Sequence, residues 1–599
     1  MNLTPEEKAV GKQNFQEATG FNLQASRRDF LKGTLVGGAT AGATLGAMYF
    51  GYGSIKNDRL RVGIIGTGDE GGVLIGALNP DYIDVVAIAD IRPYNIHRAF
   101  YGDLSSDGTA KARPGLCEIY KWKDQAEGEK HVKIYCQEKG QTYDELINDP
   151  NVEAVIIALP LWLHDVAAIK AMRAGKHVLT EKLMAHSVRQ CKEMGRVAKK
   201  TGKILATGHQ RHYSILYGNA VDQISSGLIG DVHHIRAQWH RDNLPGNDSW
   251  QPPMPTEMMS PSEFTALEKA ASKQGGPAAV AELRAQYKIL REMHAWTKMR
   301  DQQSNVVEAE KWARKVEQKT QQLQDATVDA AGYGYESREL KELGRERTPL
   351  EELLRWRLWD RTGGGLMAEL GSHQLDAASI FISAQNPAHE KVLPLSVTGN
   401  GSRSLFPADR DVDDHVYTIF EFPAKGYYEE GFKGNVADPS KKTIVTYSSI
   451  NGNGYGGYGE VVLGTQGTLI LDRESEAMLF KKSDTATKIA VGAGAGGAVM
   501  NTYETGGGQA AVADAALPKD VSRGYKEEIE HWAWCIKNPD PANQPKCPPK
   551  VALADAVIAL TSNIAMKRNE RIDFKPEWFD IESDETPEGA KPRSMSELV

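Results

Sequence analysis

The first third of the chain alternates short apolar runs with longer segments of mixed polarity. Runs such as Leu60–Ile65 and 154–158 are apolar at nearly every position, which is typical of strands buried on both faces of a parallel sheet. The segments between such runs carry helix signals: the stretch 188–200 has Ser187 as a capping residue before it and Gly202 after it. Strands that alternate with helices predict a doubly wound parallel α/β sheet.

From about residue 209 the pattern changes. The segments 232–240 and 415–422 alternate apolar and polar positions, which is typical of strands with one buried face. A charged stretch at about 262–345 lies between them, and its apolar residues recur at helical spacing. We interpret this stretch as a peripheral helical hairpin, with a lid or a partner-docking arm as the alternative.

A glycine loop directly follows the first predicted strand. It contains Gly66, Thr67, Gly68 and Gly71 in GxGxxG spacing, and an amphipathic segment comes next. The first glycine permits a tight turn, the second lets a pyrophosphate approach the backbone, and the third lets the helix pack closely on the strand. The loop predicts a dinucleotide site at a helix N-terminus. A glycine turn in a plain α/β sheet is the alternative.

The second strand of this unit, 84–89, is followed by Asp90. A carboxylate at this position accepts hydrogen bonds from the adenosine ribose hydroxyls and repels a 2′-phosphate, which favours NAD over NADP. Arg92, two residues later, weakens that preference because a guanidinium can neutralise a 2′-phosphate. NADP therefore stays open.

Residues 1–57 are predicted to be an export signal or membrane anchor followed by a linker. Residues 26–32 read Ser-Arg-Arg-Asp-Phe-Leu-Lys and a weakly apolar stretch, 33–53, follows, which is the pattern of a twin-arginine export signal. An amphipathic first helix with an incidental arginine pair is the alternative. The small residues at 41–43 fit a cleavage site, whereas 33–53 is about long enough for a retained membrane anchor. We expect a periplasmic protein, either free or membrane-anchored.

Export by this route also bears on the cofactor. The route carries proteins that are already folded, and a dinucleotide is available in the cytoplasm but scarce outside it. We therefore expect a cofactor that is loaded before export and is tightly bound.

The amino-acid composition limits the kinds of partner and cofactor that we expect. The 71 basic and 79 acidic side chains leave a net charge of −8, so no overall basic field indicates nucleic acid. Five cysteines without a CxxC spacing exclude a disulfide scaffold and a paired metal site. Five histidines lack a carboxylate at ligand spacing, so we predict no metal: His209, His212, His233, His234 and His240.

Two motifs lie about 180 residues apart. The first runs from Ala158-Leu-Pro-Leu-Trp-Leu-His164 through Ala174-Gly-Lys-His-Val178 to Glu181-Lys182. The second is Gly363-Gly-Gly-Leu-Met-Ala-Glu369-Leu-Gly-Ser-His373-Gln-Leu-Asp376. In their order and content they resemble the glucose-fructose oxidoreductase / inositol dehydrogenase / MocA (Gfo/Idh/MocA) family.

The resemblance covers about residues 58–575 and implies an architecture. It implies an N-terminal Rossmann NAD(P)-binding domain, 58–208, and a C-terminal α/β domain, 209–580, that contains the helical insertion. The sheet of the second domain is expected to be open and mostly antiparallel and to mediate contacts in a homo-oligomer. Residues 581–599 are expected to form a frayed tail.

The resemblance also implies roles for the matched residues. Lys182 and His373 are the implied catalytic pair, with His373 as general acid or base, Lys182 polarising or relaying the substrate hydroxyl, and Glu369 orienting or charging both. Further implied cofactor contacts are Pro160, His164, Glu181 and Lys182. Implied substrate contacts are Arg211, His212 and Asp376. For His164 and Asp376 a structural role is the alternative.

The chain departs from the family pattern at two positions. The proline that usually follows the lysine is Leu183, which removes a fixed φ and, we expect, any cis bond at that point. The acid four residues before the histidine is Glu369 where aspartate is usual. Both changes alter the local geometry without removing a reactive group.

The implied activity is hydride transfer between a nicotinamide cofactor and a secondary alcohol of a sugar, glycoside or polyol. One alternative is an NAD-dependent glycoside hydrolase that works by transient oxidation at C3, elimination and re-reduction. The other is a non-catalytic sugar-binding or scaffold protein. The presence of both Lys182 and His373 argues against the non-catalytic alternative.

Overall fold

The computed structural model describes residues 3–36, 45–388, 390–495, 497–502 and 523–599. The cleavage site expected at 41–43 lies outside the described residues. Two sheets organise the chain, one built from residues 60–208 and one from residues 232–573, and helices cover and connect them.

The first sheet consists of six parallel strands. They are β1 Leu60–Ile65, β2 Ile83–Ala89, β3 Lys133–Tyr135, β4 Ala154–Ile157, β5 His177–Glu181 and β6 Leu205–Gly208. Their order is β3-β2-β1-β4-β5-β6, so the direction of winding reverses between β1 and β4. In such sheets the ligand binds at that reversal, outside the carboxyl ends of the strands. The predicted Rossmann sheet is confirmed.

The second sheet is open and mostly antiparallel, as expected. The strands after β6 are β7 Val232–His240, β8 Arg338–Leu340, β9 Arg345–Arg347, β10 Ser396–Ser402, β11 His415–Pro423, β12 Tyr428–Glu430, β13 Lys433–Val436, β14 Lys442–Ile450, β15 Tyr458–Gly464, β16 Gly467–Asp472, β17 Glu476–Lys481, β18 Ile489–Gly494, β19 Gly497–Thr502 and β20 Ile572–Asp573. Eight of them form the sheet β17-β16-β15-β7-β14-β11-β10-β20, in which β7 and β14 are the parallel pair. The other six form three small hairpins.

Helices surround both sheets. In chain order they are α1 Pro5–Val36, α2 Leu45–Phe50, α3 Asp69–Ala77, α4 Pro93–Tyr101, α5 Asp107–Ala112, α6 Leu116–Tyr120, α7 Gln125–Gly128, α8 Tyr143–Asn148, α9 His164–Arg173, α10 Val188–Thr201, α11 Ile215–Ser225, α12 Pro261–Gln286, α13 Lys288–Asp301, α14 Val306–Gln324, α15 Pro349–Leu354, α16 Asp360–Gly363, α17 Ser372–Ser383, α18 Tyr525–Lys537, α19 Pro549–Arg568 and α20 Met595–Leu598.

Helix α19 connects the two sheets. It packs on β6 of the first sheet and on β10 of the second. Among the described residues it is the one helix long and apolar enough to cross a membrane, and 67% of its apolar stretch is buried inside the protein. That burial is typical of a core helix.

The beginning of α1 packs on the second sheet. Asn14 donates to the carbonyl oxygen of Leu479 at 3.0 Å and accepts from the backbone N–H of Ile489 at 3.0 Å. Phe15 is 1% exposed, and a Cβ on Gly11 would lie 2.4 Å from the Phe480 ring. The segment lies within the predicted export signal, and the structure shows that it is part of the fold.

Replacing Phe15 with alanine tests this docking. Removing a buried phenylalanine costs about 3 kcal/mol, which corresponds to a hundredfold or larger increase in local opening. We expect hydrogen exchange of the backbone amides in 12–19 to accelerate by about that factor. Lys8→Ala, which removes a partly exposed ion pair with Asp472, should change exchange only slightly. Equal exchange in wild type and Phe15→Ala would contradict the docked arrangement.

Residues 45–53 also lie against the protein. Ala47 is 1% exposed, Tyr49 donates from Oη to Asp222 at 3.3 Å, and Tyr52 donates to Glu530 at 2.7 Å. Residues 45–53 of the expected anchor at 33–53 are thus packed on the protein, while its residues 37–44 lie outside the described residues.

The helical insertion packs on the first domain through its last helix. Helices α12, α13 and α14 pack together, and α14 returns to the first domain and packs on α4. Gln318 of α14 is fully buried there and accepts from the backbone N–H of Leu104 at 2.8 Å. The insertion thus contains a helical hairpin, α13 and α14, as expected, and its last helix is in addition built into the Rossmann domain.

Residues 581–599 are packed along α10. Lys192, which is fully buried, donates to three backbone carbonyl oxygens within 577–585 at 2.7–3.0 Å. Arg593 pairs with the buried Glu193 at 2.6 Å. The expectation of a frayed tail is wrong because this segment supplies the partners of two buried charges.

Candidate active site

A cavity of about 1120 Å³ lies where the first sheet reverses its winding. One end is lined by the glycine turn after β1, and the other by side chains from β5, the second sheet and α17. The sequence-predicted residues that line it are Gly66, Gly68, Asp90, Arg92, Pro160, Glu181, Lys182, Glu369 and His373. The structure therefore brings the predicted nucleotide turn and the predicted catalytic pair to one cavity.

The glycine turn has the shape that its sequence predicts. Gly66 has φ +85°, and a Cβ there would lie 2.5 Å from the carbonyl oxygen of Ala158. A Cβ on Gly71 would lie 2.3 Å from the carbonyl oxygen of Gly66. At Gly68 the nearest atom to such a Cβ would be Asn95 Nδ2 at 3.6 Å. The backbone at Gly68 is thus open to a ligand, while the other two glycines fix the turn.

Asp90 is held at the edge of this turn. Its Oδ2 accepts from the backbone N–H of Thr67 at 2.8 Å, and its Oδ1 accepts from the backbone N–H of Arg92 at 2.9 Å. Thr67 is fully buried and does not line the cavity, so it acts on a ligand only through Asp90. The Arg92 side chain turns to Asp325 of the insertion.

Lys182 follows β5 and points toward the second domain. Its Nζ donates to the carbonyl oxygen of Glu369 at 2.6 Å and lies 3.9 Å from Glu369 Oε2. The peptide bond between Lys182 and Leu183 is cis although the residue is leucine. The expectation that loss of the proline removes a cis bond here is therefore wrong.

His164 lies behind the residues that line the cavity and contacts the main chain next to Lys182. One ring nitrogen lies 2.9 Å from the carbonyl oxygen of Leu183, and the other lies 2.9 Å from that of Leu159. The ring is buried, which lowers its pKa, and it does not line the cavity. The structure places His164 as a link between the turn at Pro160 and the residue after Lys182.

The carboxyl group of Glu369 lines the cavity and is ionised. Its Oε1 accepts from Arg357 Nε at 2.7 Å. Burial raises the pKa of Glu369, but Arg357 and then Lys182 outweigh burial and hold that pKa at about 2. Glu369 lies in a π-helical turn, Met367–Gly371, directly before α17; such irregular turns are frequent at functional sites.

His373 lies in the first turn of α17 and is 9% exposed. Its ring centre is 5.6 Å from that of Trp239 on β7. Burial lowers the pKa of His373 well below its usual value, and the positive charges of Lys182 and Arg211 lower it further. The imidazole is therefore neutral at pH 7 and has a lone pair that can accept a proton.

Two carboxyl groups, Glu181 and Glu70, lie near Lys182. Glu181 accepts from the backbone N–H of Lys182 at 3.1 Å, and Glu70 of the glycine turn lines the same cavity. Burial raises the pKa of both carboxyl groups, and Glu70 raises that of Glu181 further. These groups hold protons more readily than ordinary glutamates, although the charge of the Lys182 amine lowers the pKa of both.

The three predicted substrate contacts do not line the cavity. Arg211 is 2% exposed and pairs with Glu474 at 2.5 Å. His212 lies with Nε2 3.0 Å from Oδ1 of the buried Asp376. The structure places these residues in a buried polar network, so their effect on a substrate would be indirect.

The same network contains two groups with metal-ligand chemistry: His209 with Cys547 and Asp555, and His212 with Asp376 and Asp555. The sequence shows no carboxylate at ligand spacing, but the fold brings Asp376 and Asp555 from separate helices to His209 and His212, so the stated reason for expecting no metal is wrong. Lys391 pairs closely with Asp555 and lies 3.6 Å from Asp376. The two carboxylates thus already have a cationic partner.

Sequence reasoning missed several residues that line the inner part of the cavity: Trp239, Arg241, Trp250, Trp356, Arg357, Arg523 and Tyr525. The run 355–361, Arg-Trp-Arg-Leu-Trp-Asp-Arg, directly precedes the second motif, and its mixture of basic and aromatic residues was the available signal. The others come from β7, from the loop after it and from the region around α18. The sequence gives no local sign that these elements meet.

Comparison with known proteins agrees with this geometry. Residues 60–209 match the Gfo/Idh/MocA model, described as an oxidoreductase family with an NAD-binding Rossmann fold. A 1-carboxy-3-chloro-3,4-dihydroxycyclohexa-1,5-diene dehydrogenase of Comamonas testosteroni is 38% identical over 101 residues, 17% of this chain and 25% of that protein. A 1,5-anhydro-D-fructose reductase of Ensifer adhaerens is 37% identical over 87 residues, 14% of this chain and 26% of that protein. A glycosyl hydrolase family 109 protein of Solibacter usitatus is 24% identical over 224 residues, 37% of this chain and 47% of that protein.

The six-stranded parallel sheet and the glycine turn are those of a Rossmann-type dinucleotide-binding domain. Residues 60–209 match the Gfo/Idh/MocA oxidoreductase family, and the resemblance carried by the first sequence motif, which lies within them, is confirmed. The second motif, at 363–376, lies outside the matched residues. The chain spans between 25% and 47% of the length of these three curated relatives.

Proposed function

We propose that this protein is an NAD(P)-dependent oxidoreductase, with NAD favoured, that transfers hydride between the cofactor and a secondary alcohol of a sugar, glycoside or polyol. The observation that carries this proposal is the single cavity that joins the glycine turn, Lys182 and His373. Membership of residues 60–209 in an NAD-binding oxidoreductase family supports it.

The residues at the outer end of the cavity fit a dinucleotide. Gly68 leaves the backbone open where a pyrophosphate would approach, and a larger residue would fill that cradle. Asp90 offers a carboxylate suited to ribose hydroxyls. Gly66, Gly68, Asp90 and Pro160 would hold the cofactor. When bound, NAD supplies the hydride acceptor or donor.

The residues at the inner end supply proton transfer. The neutral imidazole of His373 can accept the proton of a substrate hydroxyl at a ring nitrogen. Lys182 can donate a hydrogen bond to the same oxygen, because its Nζ is held at the cavity wall by the carbonyl oxygen of Glu369. The carboxylate of Glu369, paired with Arg357, balances the charge of the amine.

The lining of the inner cavity supports a carbohydrate or polyol. Trp239, Trp250 and Trp356 offer flat apolar faces, and Arg241 and Arg357 offer hydrogen-bond donors. A few polar groups among aromatic walls are typical of small-molecule sites, and sugars present both C–H faces and hydroxyls. The 1,5-anhydro-D-fructose reductase among the relatives supports the same substrate class.

The nucleotide that copurifies with the protein tests this proposal. We expect NAD or NADH, identified by mass after denaturation, in about one copy per chain, because the export route favours a cofactor that is retained. With a panel of sugars, glycosides and polyols, the near-ultraviolet absorbance of reduced nicotinamide should change for at least one compound. Failure to bind any dinucleotide, copurified or added, would overturn the proposal.

An NAD-dependent glycoside hydrolase is the second candidate, favoured by the likeness to the glycosyl hydrolase family 109 protein. The same residues would serve it, because oxidation, elimination and re-reduction return the cofactor to its starting state. Release of nitrophenol from nitrophenyl glycosides without net change in the cofactor spectrum would favour this candidate. Net reduction of NAD by the free sugar would favour the first.

We also propose export by the twin-arginine route, on the strength of residues 26–32. Replacing Arg27 and Arg28 with lysine should hold the protein in the cytoplasm, as cell fractionation would measure. Because residues 5–22 pack on the second sheet, we expect the mass of the exported protein to include them. An exported protein that lacks these residues would contradict retention.

A homo-oligomer through the second sheet completes the proposal. Tyr417 and Ile419 on β11 are 48% and 50% exposed and point to the same side of the sheet. Adjacent exposed apolar residues of this kind favour an interface. Light scattering on the purified protein should give a mass above that of one chain.

A further inference from the structure

We propose that Asp325 of the helical insertion makes the site selective for NAD by holding Arg92 away from the position of a 2′-phosphate. The inference rests on the proposed function, because it concerns the specificity of the same dinucleotide site. Asp325 matches neither motif and lies about 230 residues from Arg92 in the sequence. Only the fold brings the two together.

Both carboxylate oxygens of Asp325 accept hydrogen bonds, one from the Arg92 side chain and the other from the main chain nearby. Asp325 Oδ2 accepts from Arg92 Nε at 2.9 Å and from Arg92 Nη2 at 2.8 Å. Asp325 Oδ1 accepts from the backbone N–H of Tyr94 at 3.1 Å. The Asp325 side chain is 1% exposed and that of Arg92 is 18% exposed. The guanidinium is thus fixed against a buried carboxylate while both residues line the cavity.

The main chain on both sides of Asp325 is tied to the first domain. Before it, Gln318 accepts from the backbone N–H of Leu104 at 2.8 Å. After it, Gln137 accepts from the backbone N–H of Asp329 at 2.8 Å and donates to the carbonyl oxygen of Thr327 at 3.0 Å. The segment that carries Asp325 therefore cannot move away from Arg92 without breaking these bonds, and the bond from Tyr94 N–H to Asp325 Oδ1 orients the carboxylate itself.

The charges at this end of the cavity then disfavour a phosphate. Asp325 pairs with the guanidinium of Arg92, whereas Asp90 accepts from the Arg92 backbone N–H, so two carboxylates and one cation leave a local excess of one negative charge. The other arginines that line this region are also paired, Arg98 with Asp69 and Asp103, and Arg113 with Asp103. A ribose hydroxyl can donate to Asp90, whereas a 2′-phosphate would meet repulsion with no unpaired arginine among these three.

Dissociation constants for NAD and NADP, measured by calorimetry on protein stripped of nucleotide, test this inference. Asp325→Ala releases the guanidinium of Arg92, and we expect the ratio of the NADP constant to the NAD constant to fall at least tenfold. Asp325→Asn is a second variant, since its amide oxygen can keep the bond from Tyr94 N–H while it no longer pairs with the guanidinium. It should shift the ratio in the same direction.

The matched control is the double variant Arg92→Ala/Asp325→Asn. Because the gain for NADP depends on the freed guanidinium, this variant should lose most of the shift that Asp325→Asn produces. An unchanged ratio in Asp325→Asn, or an equal shift in the double variant, would overturn the inference. Wild-type protein that prefers NADP would overturn it while leaving the proposed function intact, whereas binding of neither dinucleotide would overturn both.

Discussion

Lys182→Met should slow hydride transfer by about a thousandfold while the dinucleotide still binds. Methionine has a similar length and apolar character along the stem, but it cannot donate a hydrogen bond to the substrate oxygen. It also leaves Glu369 with Arg357 as its remaining close cation. The rate is measured in a single turnover, as the change in nicotinamide absorbance after mixing with the sugar or polyol that the wild type accepts.

Lys170→Met is the matched control for this variant. Lys170 lies on α9 in the same domain, is exposed, and pairs with Asp144 at the surface, so its replacement should leave the rate nearly unchanged. A Lys182→Met protein that transfers hydride at the wild-type rate would show that the amine has no part in the reaction.

His373→Asn should lower kcat/KM by about a hundredfold to a thousandfold, because asparagine can form hydrogen bonds but cannot take up the proton of the alcohol. The wild type should show a characteristic pH dependence for alcohol oxidation. The neutral imidazole is the active form, and burial lowers its pKa well below 6.5. The loss of rate caused by protonation of His373 should therefore appear only well below pH 6.5.

The exposed His233 on β7 provides the control, since His233→Asn removes an imidazole far less buried than His373. It should change neither the rate nor its pH dependence. An acid limb centred near pH 6.5 in the wild type that persists in His373→Asn would contradict the assignment of His373 as the base.

The sequence predicted the parts of the site that depend on local chemistry. The glycine turn and Asp90 are recognisable because a strand, a turn and a helix in direct succession fix their geometry. Lys182 and His373 were found through family motifs, and the cavity contains both. In these cases the residue and the element that positions it are close together in the sequence.

The parts that the sequence did not predict depend on contacts between distant segments. The insertion resembled a peripheral hairpin because its helices are amphipathic in any context, and only the fold shows Gln318 and Asp325 bonded to the first domain. The acidic stretch at 581–599 resembled a frayed tail, yet its carbonyl oxygens are the partners of the buried Lys192. Composition does not reveal such partners.

The same limit explains the predicted substrate contacts. Arg211 and His212 follow the last strand of the first sheet, where a polar segment could face either a ligand or the interior. The carboxylates that draw them inward, Glu474 and Asp376, lie more than 150 residues away. The aromatic and basic residues that do line the cavity, such as Trp239 and Arg357, come from elements that are distant in the sequence. No local pattern indicates that these elements are in contact.

A crystal structure of the protein with bound NAD would show whether the cofactor occupies the cavity that joins the glycine turn to Lys182 and His373. We expect the pyrophosphate at Gly68 and the nicotinamide ring in the inner cavity, within van der Waals contact of the Lys182 amine and the His373 imidazole. A dinucleotide bound elsewhere on the surface, or a nicotinamide ring separated from both side chains by the protein wall, would contradict this placement.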